Sequence, residues 1–356
     1  MDDALFANLT RSLEQAAAHA RGESVPGLRV HVPREVGEAV PDMGSSGPAR
    51  GDPASGREDA ERPDLSTTEP PAMTLDLWHP DDAPLGPLDP AYDNAGAIPG
   101  ARDYPPRWMA RAAAFRSELA AAGRADLDRR YGDGERQVYD LFRPDGAPAG
   151  LAVFVHGGYW KAFDQSVWSH LAAGALARGF CVALPRYTLC PQARIGDITR
   201  DIGTFLDRVA DAVAGPIRLS GHSAGGHLVT RMLCADAPLA PATAARIDRA
   251  VSISGVHDLR PLLGTAMNAV LRLDPDEARR ESPALLEPRP GATLIAVAGG
   301  DELPEFRRQT ALMANVWHGL GATTRAVAVP GRHHFDVIDE LENPDSAMVA
   351  ALAGSA

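Results

Sequence analysis

Short apolar runs alternate with segments of helical periodicity through the second half of the chain. Each run has four or five residues and is rich in Val, Ile, Leu and Ala, which is typical of a strand buried on both faces. The predicted strands are residues 152–155, 180–184, 217–220, 250–254, 294–298 and 326–329, and the predicted helices between them include 168–178, 202–214 and 306–320. This alternation predicts β-α-β crossovers and a largely parallel sheet with helices on both faces.

Two further elements precede this alternating part. Residues 108–122 place apolar side chains on one face of a helix, beginning with Trp108, and predict an N-terminal helical extension or lid. Residues 138–142 follow a turn-rich segment and have the alternating pattern of a strand, which we expect at an edge of the sheet.

The first part of the chain has a different composition. Residues 4–20 predict one short amphipathic helix, and residues 26–71 are dense in Pro, Gly, Ser and charge, with too little apolar content to fold alone. We therefore predict an N-terminal segment, residues 1–72, made of a short helix and a disordered linker. Residues 73–356 form the predicted α/β domain.

The charge balance narrows the classes of partner. The chain has 35 basic and 47 acidic residues, a formal net charge of −12, which argues against nucleic acid or an anionic membrane as the main partner. Its three cysteines form no Cys-x-x-Cys pair, so neither a disulfide framework nor a zinc knuckle is predicted. Neither a secretory signal nor an apolar run of membrane-spanning length is recognisable, so we expect a cytoplasmic location.

A nucleophile elbow is predicted where the run 217–220 meets Gly221-His222-Ser223-Ala224-Gly225. The Gly-x-Ser-x-Gly pattern between a strand and a helix-forming segment holds a serine on a tight, strained turn. Ser223 is therefore the predicted nucleophile.

A serine hydroxyl needs a histidine base and an acid that orients this base. In the chain order Ser, acid, His, the base is expected after the last strand, where His333 and His334 are adjacent. The acid is expected after the run 294–298, where Asp301 and Glu302 are adjacent. Spacing alone does not decide which of the two histidines is the base or which of the two carboxylates is the acid.

Other acidic residues near these positions are weaker candidates for the acid. Glu305 is expected to be a helix cap or solvated residue, and Asp336 and Asp339 come only after the histidines.

The oxyanion hole is predicted in His156-Gly157-Gly158-Tyr159-Trp160, directly after the run 152–155. Backbone N–H groups of Gly157, Gly158 and Tyr159 would join that of Ala224. Tyr159 and Trp160 are candidate aromatic walls for a substrate, whereas His156 is expected to shape the loop. We predict no cofactor and no metal, because no His-x-x-x-His or His-Glu-x-x-His spacing occurs.

Three sequence motifs, one of them Pro304-Glu305-Phe306-Arg307-Arg308-Gln309, together resemble those of the serine-dependent kynurenine formamidases, or arylformamidases, a group of the hormone-sensitive-lipase-like α/β-hydrolases. They are residues 156–160, 221–228 and 304–309, and the resemblance extends over about residues 88 to 342. It implies an α/β-hydrolase fold with Ser223 as nucleophile, His334 as base and Glu302 as acid. Many relatives have Asp at this acid position, so Asp301 stays an alternative.

The resemblance also implies a reaction, the cleavage of N-formyl-kynurenine to kynurenine and formate in tryptophan degradation. A carboxylesterase for small acyl or aryl esters would use the same machinery, and a hydrolase-fold protein without catalysis is an alternative of a different class. We expect a small-molecule substrate as the partner, and the sequence is compatible with a homodimer.

Overall fold

A computed structural model of the chain describes residues 88–354. The predicted helix at 4–20, the predicted linker at 26–71 and the boundary between residues 72 and 73 lie outside these residues. Among the helices described, none is long and apolar enough to cross a membrane.

Eight strands of the described part form one mixed sheet. They are β1 (Ala125–Arg130), β2 (Val138–Phe142), β3 (Gly150–Val155), β4 (Phe180–Arg186), β5 (Ile217–His222), β6 (Ile247–Ile253), β7 (Thr293–Gly299) and β8 (Thr323–Val329). Their order across the sheet is β1-β2-β4-β3-β5-β6-β7-β8. β2 pairs antiparallel with both β1 and β4, and every other neighbouring pair is parallel. The predicted α/β class with a mostly parallel sheet is confirmed.

Helices connect and cover these strands. They are α1 (Leu88–Tyr92), α2 (Asn94–Ala97), α3 (Tyr104–Ala121), α4 (Ala173–Ala177), α5 (Ile195–Ala210), α6 (Ala224–Arg231), α7 (Pro241–Arg246), α8 (Asn268–Leu271), α9 (Pro275–Arg280), α10 (Pro304–Val316) and α11 (Ala347–Ala353).

The core lies on both faces of the sheet, as alternate side chains of β3 show. Val153 and Val155 belong to a cluster built with α5, α6 and α10, whereas Phe154 belongs to a second cluster built with α3, α4 and α11. Because successive residues of a strand point to opposite faces, a central strand buried on both sides reads as a continuous apolar run.

The prediction that residues 138–142 form an edge strand was wrong. β1 lies outside β2 and forms the edge, and all five residues of β2 are buried. β1 reads Ala-Asp-Leu-Asp-Arg-Arg and exposes its last four residues, so it has no apolar run that sequence reading could detect. A charged edge strand is a common protection of a sheet against pairing with another chain.

The predicted helices are present with shifted ends. The predicted helix 168–178 begins with a 3₁₀ turn at Ser169–Ala172 and continues as α4. The predicted helix 202–214 starts earlier, at Ile195, because the Asp197 carboxylate accepts the backbone N–H of Arg194 at 2.9 Å and caps the first turn. α3 buries Trp108, Ala112 and Leu119 against the domain, and its action as a lid stays a prediction.

Candidate active site

Ser223 occupies the tight turn between β5 and α6. Its backbone has φ 55° and ψ −117°, a strained conformation for a residue with a side chain. A Cβ on Gly225 would lie 1.9 Å from the carbonyl oxygen of Val155, and a Cβ on Gly221 would lie 2.3 Å from that of Gly225. Both glycines are therefore needed for the close approach of β3, β5 and α6 that holds the serine in place.

The strained turn is fixed by backbone hydrogen bonds on both sides. The Ser223 N–H donates to the carbonyl of Ile253 at 2.8 Å, and the Ser223 carbonyl accepts from the N–H of His227 at 3.1 Å. The serine thus sits at the carboxyl end of the parallel strands, the edge where α/β folds place their ligands.

The structure brings Glu302, and not Asp301, to the histidine. The Glu302 side chain is fully buried, and its Oε2 lies 2.7 Å from Nδ1 of His334. Asp301 is exposed in the same loop. Because an acid that orients a histidine must contact the ring nitrogen, Glu302 is the carboxylate with the required geometry.

Two donors hold the other oxygen of Glu302. Oε1 accepts the Gly299 N–H at 2.6 Å and the Ser254 hydroxyl at 2.5 Å. A buried carboxylate is stable only when such donors replace water, so these contacts also fix its orientation toward His334. Ser254, directly after β6, has φ 52° and is fully buried.

His333 and His334 have different surroundings. The His333 ring is 3.0 Å from the Tyr104 hydroxyl, and its Nδ1 accepts the backbone N–H of Phe335 at 3.2 Å. These contacts tie His333 to α3 and to its own loop. His334 is buried, and its ring packs at 4.4 Å, centre to centre, against Phe306.

His222 links the elbow to the loop of the base. Its Nε2 donates to the carbonyl oxygen of His334 at 2.9 Å, and the two rings are 4.6 Å apart. Burial, and secondly the nearby His334, hold the pKa of His222 well below its usual range, so the ring is a neutral donor. Among the described residues, the Ser223 hydroxyl makes no direct hydrogen bond with His334, and such catalytic contacts often tighten only when substrate binds.

The predicted oxyanion loop lies against the serine. A Cβ on Gly157 would lie 3.0 Å from the Cβ of Ser223, so only glycine permits this approach. Within the described part of the chain, the backbone N–H groups of Gly157, Gly158, Tyr159 and Ala224 have no hydrogen-bond acceptor. Ala224 is the first residue of α6, where backbone N–H groups are free by geometry.

His156 shapes this loop, as expected. Its Nδ1 donates to the carbonyl of Gly157 at 2.8 Å, and its ring stacks on Tyr187 at 4.3 Å. Burial lowers the pKa of His156 to about 4, so the ring stays neutral near pH 7.

The two aromatic candidates differ. The Tyr159 hydroxyl donates to the carbonyl of Tyr92 at 2.6 Å, and Tyr159 lines a cavity of about 390 Å³. Trp160 is fully buried in the core, with its ring 5.1 Å from that of His227. Trp160 does not line this cavity, and its role as a substrate wall stays a prediction.

Two residues of this region, Ser254 and Lys161, were not identified as site candidates by sequence analysis. Ser254 is a serine in a serine-rich strand end, and no local pattern marks its contact with Glu302. Lys161 follows the oxyanion loop and was detectable by composition, because it is the single lysine of the chain. No cluster of three or more metal-ligating side chains occurs within the described range.

Comparison with known proteins places these features among hydrolases. The model of the alpha/beta hydrolase family matches residues 152–352. Kynurenine formamidase of Salmo salar is 29% identical over 232 residues, covering 60% of this chain and 76% of that protein. Kynurenine formamidase of Drosophila melanogaster is 29% identical over 231 residues, covering 61% and 77%.

Solved structures agree on the fold. A Silicibacter sp. tm1040 protein that carries a provisional thioesterase designation is 48% identical, with a TM-score of 0.71, covering 74% of this chain and 98% of that one. An esterase of Pyrobaculum calidifontis has a TM-score of 0.54 at 18% identity, covering 71% and 92%, and supports the fold alone.

Proposed function

The chain belongs to the alpha/beta hydrolase family, and we propose that it is a serine hydrolase that cleaves N-formyl-kynurenine to kynurenine and formate. Its relatives include curated kynurenine formamidases, and it is an arylformamidase-like hydrolase. The observation that carries the reaction type is the 2.7 Å contact between Glu302 and His334 beside the strained elbow of Ser223. This combination is the arrangement that activates a serine for acyl transfer.

In the first half of the reaction, the Ser223 oxygen attacks the formyl carbon and its proton passes to Nε2 of His334. Glu302 holds the Nδ1 proton, so the ring has the tautomer that can accept at Nε2 and is stabilised once it is charged. The free N–H groups of Gly158, Tyr159 and Ala224 would bind the oxyanion.

In the second half, collapse of the tetrahedral intermediate breaks the C–N bond. The arylamine leaves with the proton from His334, and a formyl ester remains on Ser223. Water then attacks this ester with His334 as the base, releasing formate and restoring the hydroxyl. The nitrogen of an anilide is a better leaving group than that of an alkyl amide, which suits an esterase-like site.

A second candidate is the hydrolysis of an ester or thioester. It is favoured by the 48% identical structure with the thioesterase designation and would use the same residues on a different acyl group. Fold and machinery are common to both, so the substrate has to be measured.

Two experiments test the proposal. Labelling with a fluorophosphonate probe should occur in the wild-type protein and disappear in Ser223→Ala; persistent labelling of the variant would exclude Ser223 as nucleophile, and an unlabelled wild type would favour a non-catalytic protein. Steady-state kinetics should then compare N-formyl-kynurenine, p-nitrophenyl acetate and an acyl thioester. A kcat/KM far lower on the formamide than on either ester would contradict the formamidase and support the second candidate.

A further inference from the structure

Lys161 differs from every other basic residue of this protein. It is the single lysine among 35 basic residues, and it immediately follows the predicted oxyanion loop. Its side chain is exposed, and its ammonium group makes neither an ion pair nor a hydrogen bond with the described residues. A flexible, hydrated cation at this position suits binding of an anionic group better than stabilisation of the fold.

Lys161 lines the cavity of about 390 Å³ beside Tyr159, a volume that accommodates a small organic molecule. The other lining residues are Asp89, Pro90, Tyr92, Asp93 and Met267. The cavity therefore combines one cation, two carboxylates and apolar surface.

One oxygen of each carboxylate is already used by the fold. Oδ1 of Asp93 accepts the Gly96 N–H at 2.9 Å, and Oδ1 of Asp89 accepts the Ala266 N–H at 2.8 Å. No hydrogen bond within the described range occupies their second oxygens, so each can accept from a ligand. The backbone contacts hold both charges in place before a ligand arrives.

The cavity adjoins the site of the proposed reaction. Tyr159, one of its walls, lies two residues after Gly157, which contacts Ser223. Tyr92, a second wall, packs at 6.1 Å edge-to-face on Phe306, whose ring is 4.4 Å from that of His334. The cavity is thus linked to Ser223 through the loop that carries Gly157 and Tyr159, and to His334 through the packed rings of Tyr92 and Phe306.

We propose that this cavity binds the α-amino acid head of the substrate, with the Lys161 ammonium on the substrate carboxylate and the Asp93 carboxylate on the substrate ammonium. The inference rests on the proposed function, since N-formyl-kynurenine carries such a head beside its formamide. The contacts select an amino-acid-bearing aryl formamide over a neutral one, because the charged groups of the cavity stay unpaired when the ligand lacks the matching group.

The test compares kcat/KM on N-formyl-L-kynurenine with kcat/KM on N-(2-acetylphenyl)formamide, which has the same aryl formamide without the amino acid head. The wild type should prefer the first substrate. The ratio of the two kcat/KM values, N-formyl-L-kynurenine over the formamide without the head, should fall about 10- to 100-fold in Lys161→Met, mainly through KM. It should fall about tenfold in Asp93→Asn, as expected for lost charged hydrogen bonds. Lys161→Arg should retain most of the ratio.

Arg208→Met is the matched control, because it removes one exposed cation from α5, outside the cavity. It should leave the ratio unchanged. A ratio near one in the wild type, or an unchanged ratio in Lys161→Met, would overturn the proposal while the formamidase activity stands.

Binding of the product separates the proposal from the proposed function. Calorimetry with L-kynurenine and Ser223→Ala should give a Kd that rises at least tenfold when Lys161→Met is added. This binding would support the head-group site even if no formamide were hydrolysed. Equal Kd values with and without the lysine would overturn it.

Discussion

The Ser254 hydroxyl donates a hydrogen bond to Glu302 Oε1 at 2.5 Å and joins the end of β6 to the loop after β7. Ser254 is held there with φ 52° by its N–H, which donates to the carbonyl of Val297 at 2.6 Å. Because the opposite oxygen of Glu302 contacts His334, Ser254 would act on the proposed reaction through Glu302.

Replacement of Ser254 by alanine should therefore lower kcat about tenfold, the effect of one lost hydrogen bond to a buried charge. KM should change little, since the hydroxyl does not contact substrate. Ser254→Gly is the control for the backbone, because glycine accepts positive φ without strain. Both variants should lose kcat to a similar extent by steady-state kinetics; a glycine variant with wild-type kcat would assign the effect to strain alone.

Glu302→Gln and Asp301→Asn should differ widely in their effect on kcat. The first variant cannot accept the Nδ1 proton as a charged partner, and we expect kcat to fall about 10³- to 10⁴-fold. The second changes an exposed side chain and should stay within about twofold of wild type. Equal losses, measured by steady-state kinetics on one substrate, would contradict the assignment of the acid.

His334→Ala and His333→Ala should also differ in their effect on kcat. His334 contacts Glu302, so its removal should lower kcat by about 10³-fold or more. His333 is bound to Tyr104 and to its own loop, so its removal should act mainly on stability. Tyr104→Phe is the control: it should lower the melting temperature with His333→Ala and keep kcat near wild type. A kcat loss in His333→Ala as large as that in His334→Ala would contradict the assignment of His334 as the base.

The stability of the protein should fall below about pH 6.5. Five buried histidines have pKa values below the ordinary 6.5, mainly through burial. These are His222, whose pKa lies well below that value, His156, His170 and His257, each with a pKa of about 4, and His227, with a pKa of about 3. Above pH 6.5 these histidines are neutral in the folded and in the unfolded protein, and their contribution to the free energy of unfolding is complete. It is lost as the pH falls toward 4, because the unfolded chain then binds more protons than the folded protein.

His170→Phe tests this linkage at one position. Both ring nitrogens of His170 are buried without a hydrogen-bond partner in the described structure, and burial and secondly Arg111 lower its pKa to about 4. The variant should reduce the slope of the unfolding free energy by up to about 1.4 kcal/mol per pH unit between pH 6 and 4.5. Denaturant titrations at several pH values measure this slope, and an unchanged slope would contradict a neutral His170.

Much of the architecture could be predicted from local sequence. The strands β3 to β7 are recognisable as short apolar runs, because a strand covered on both faces needs apolar residues at successive positions. β8 was also predicted from an apolar run, although it lies at the other edge of the sheet and is partly exposed. β1 could not be predicted, since its four last residues face solvent and its pairing with β2 is a tertiary contact.

By itself the sequence determined the alternation of strands and helices and the elbow at Ser223, since both depend on residues adjacent in the chain. Only the tertiary structure brought Glu302, and not Asp301, into contact with His334, brought Ser254 to Glu302 and buried Trp160 in the core. Glu302 is separated by 32 residues from His334 and by 48 from Ser254. Such contacts depend on how the ends of different strands meet at one edge of the sheet. A local sequence pattern cannot predict them, because the contacting residues lie far apart in the chain.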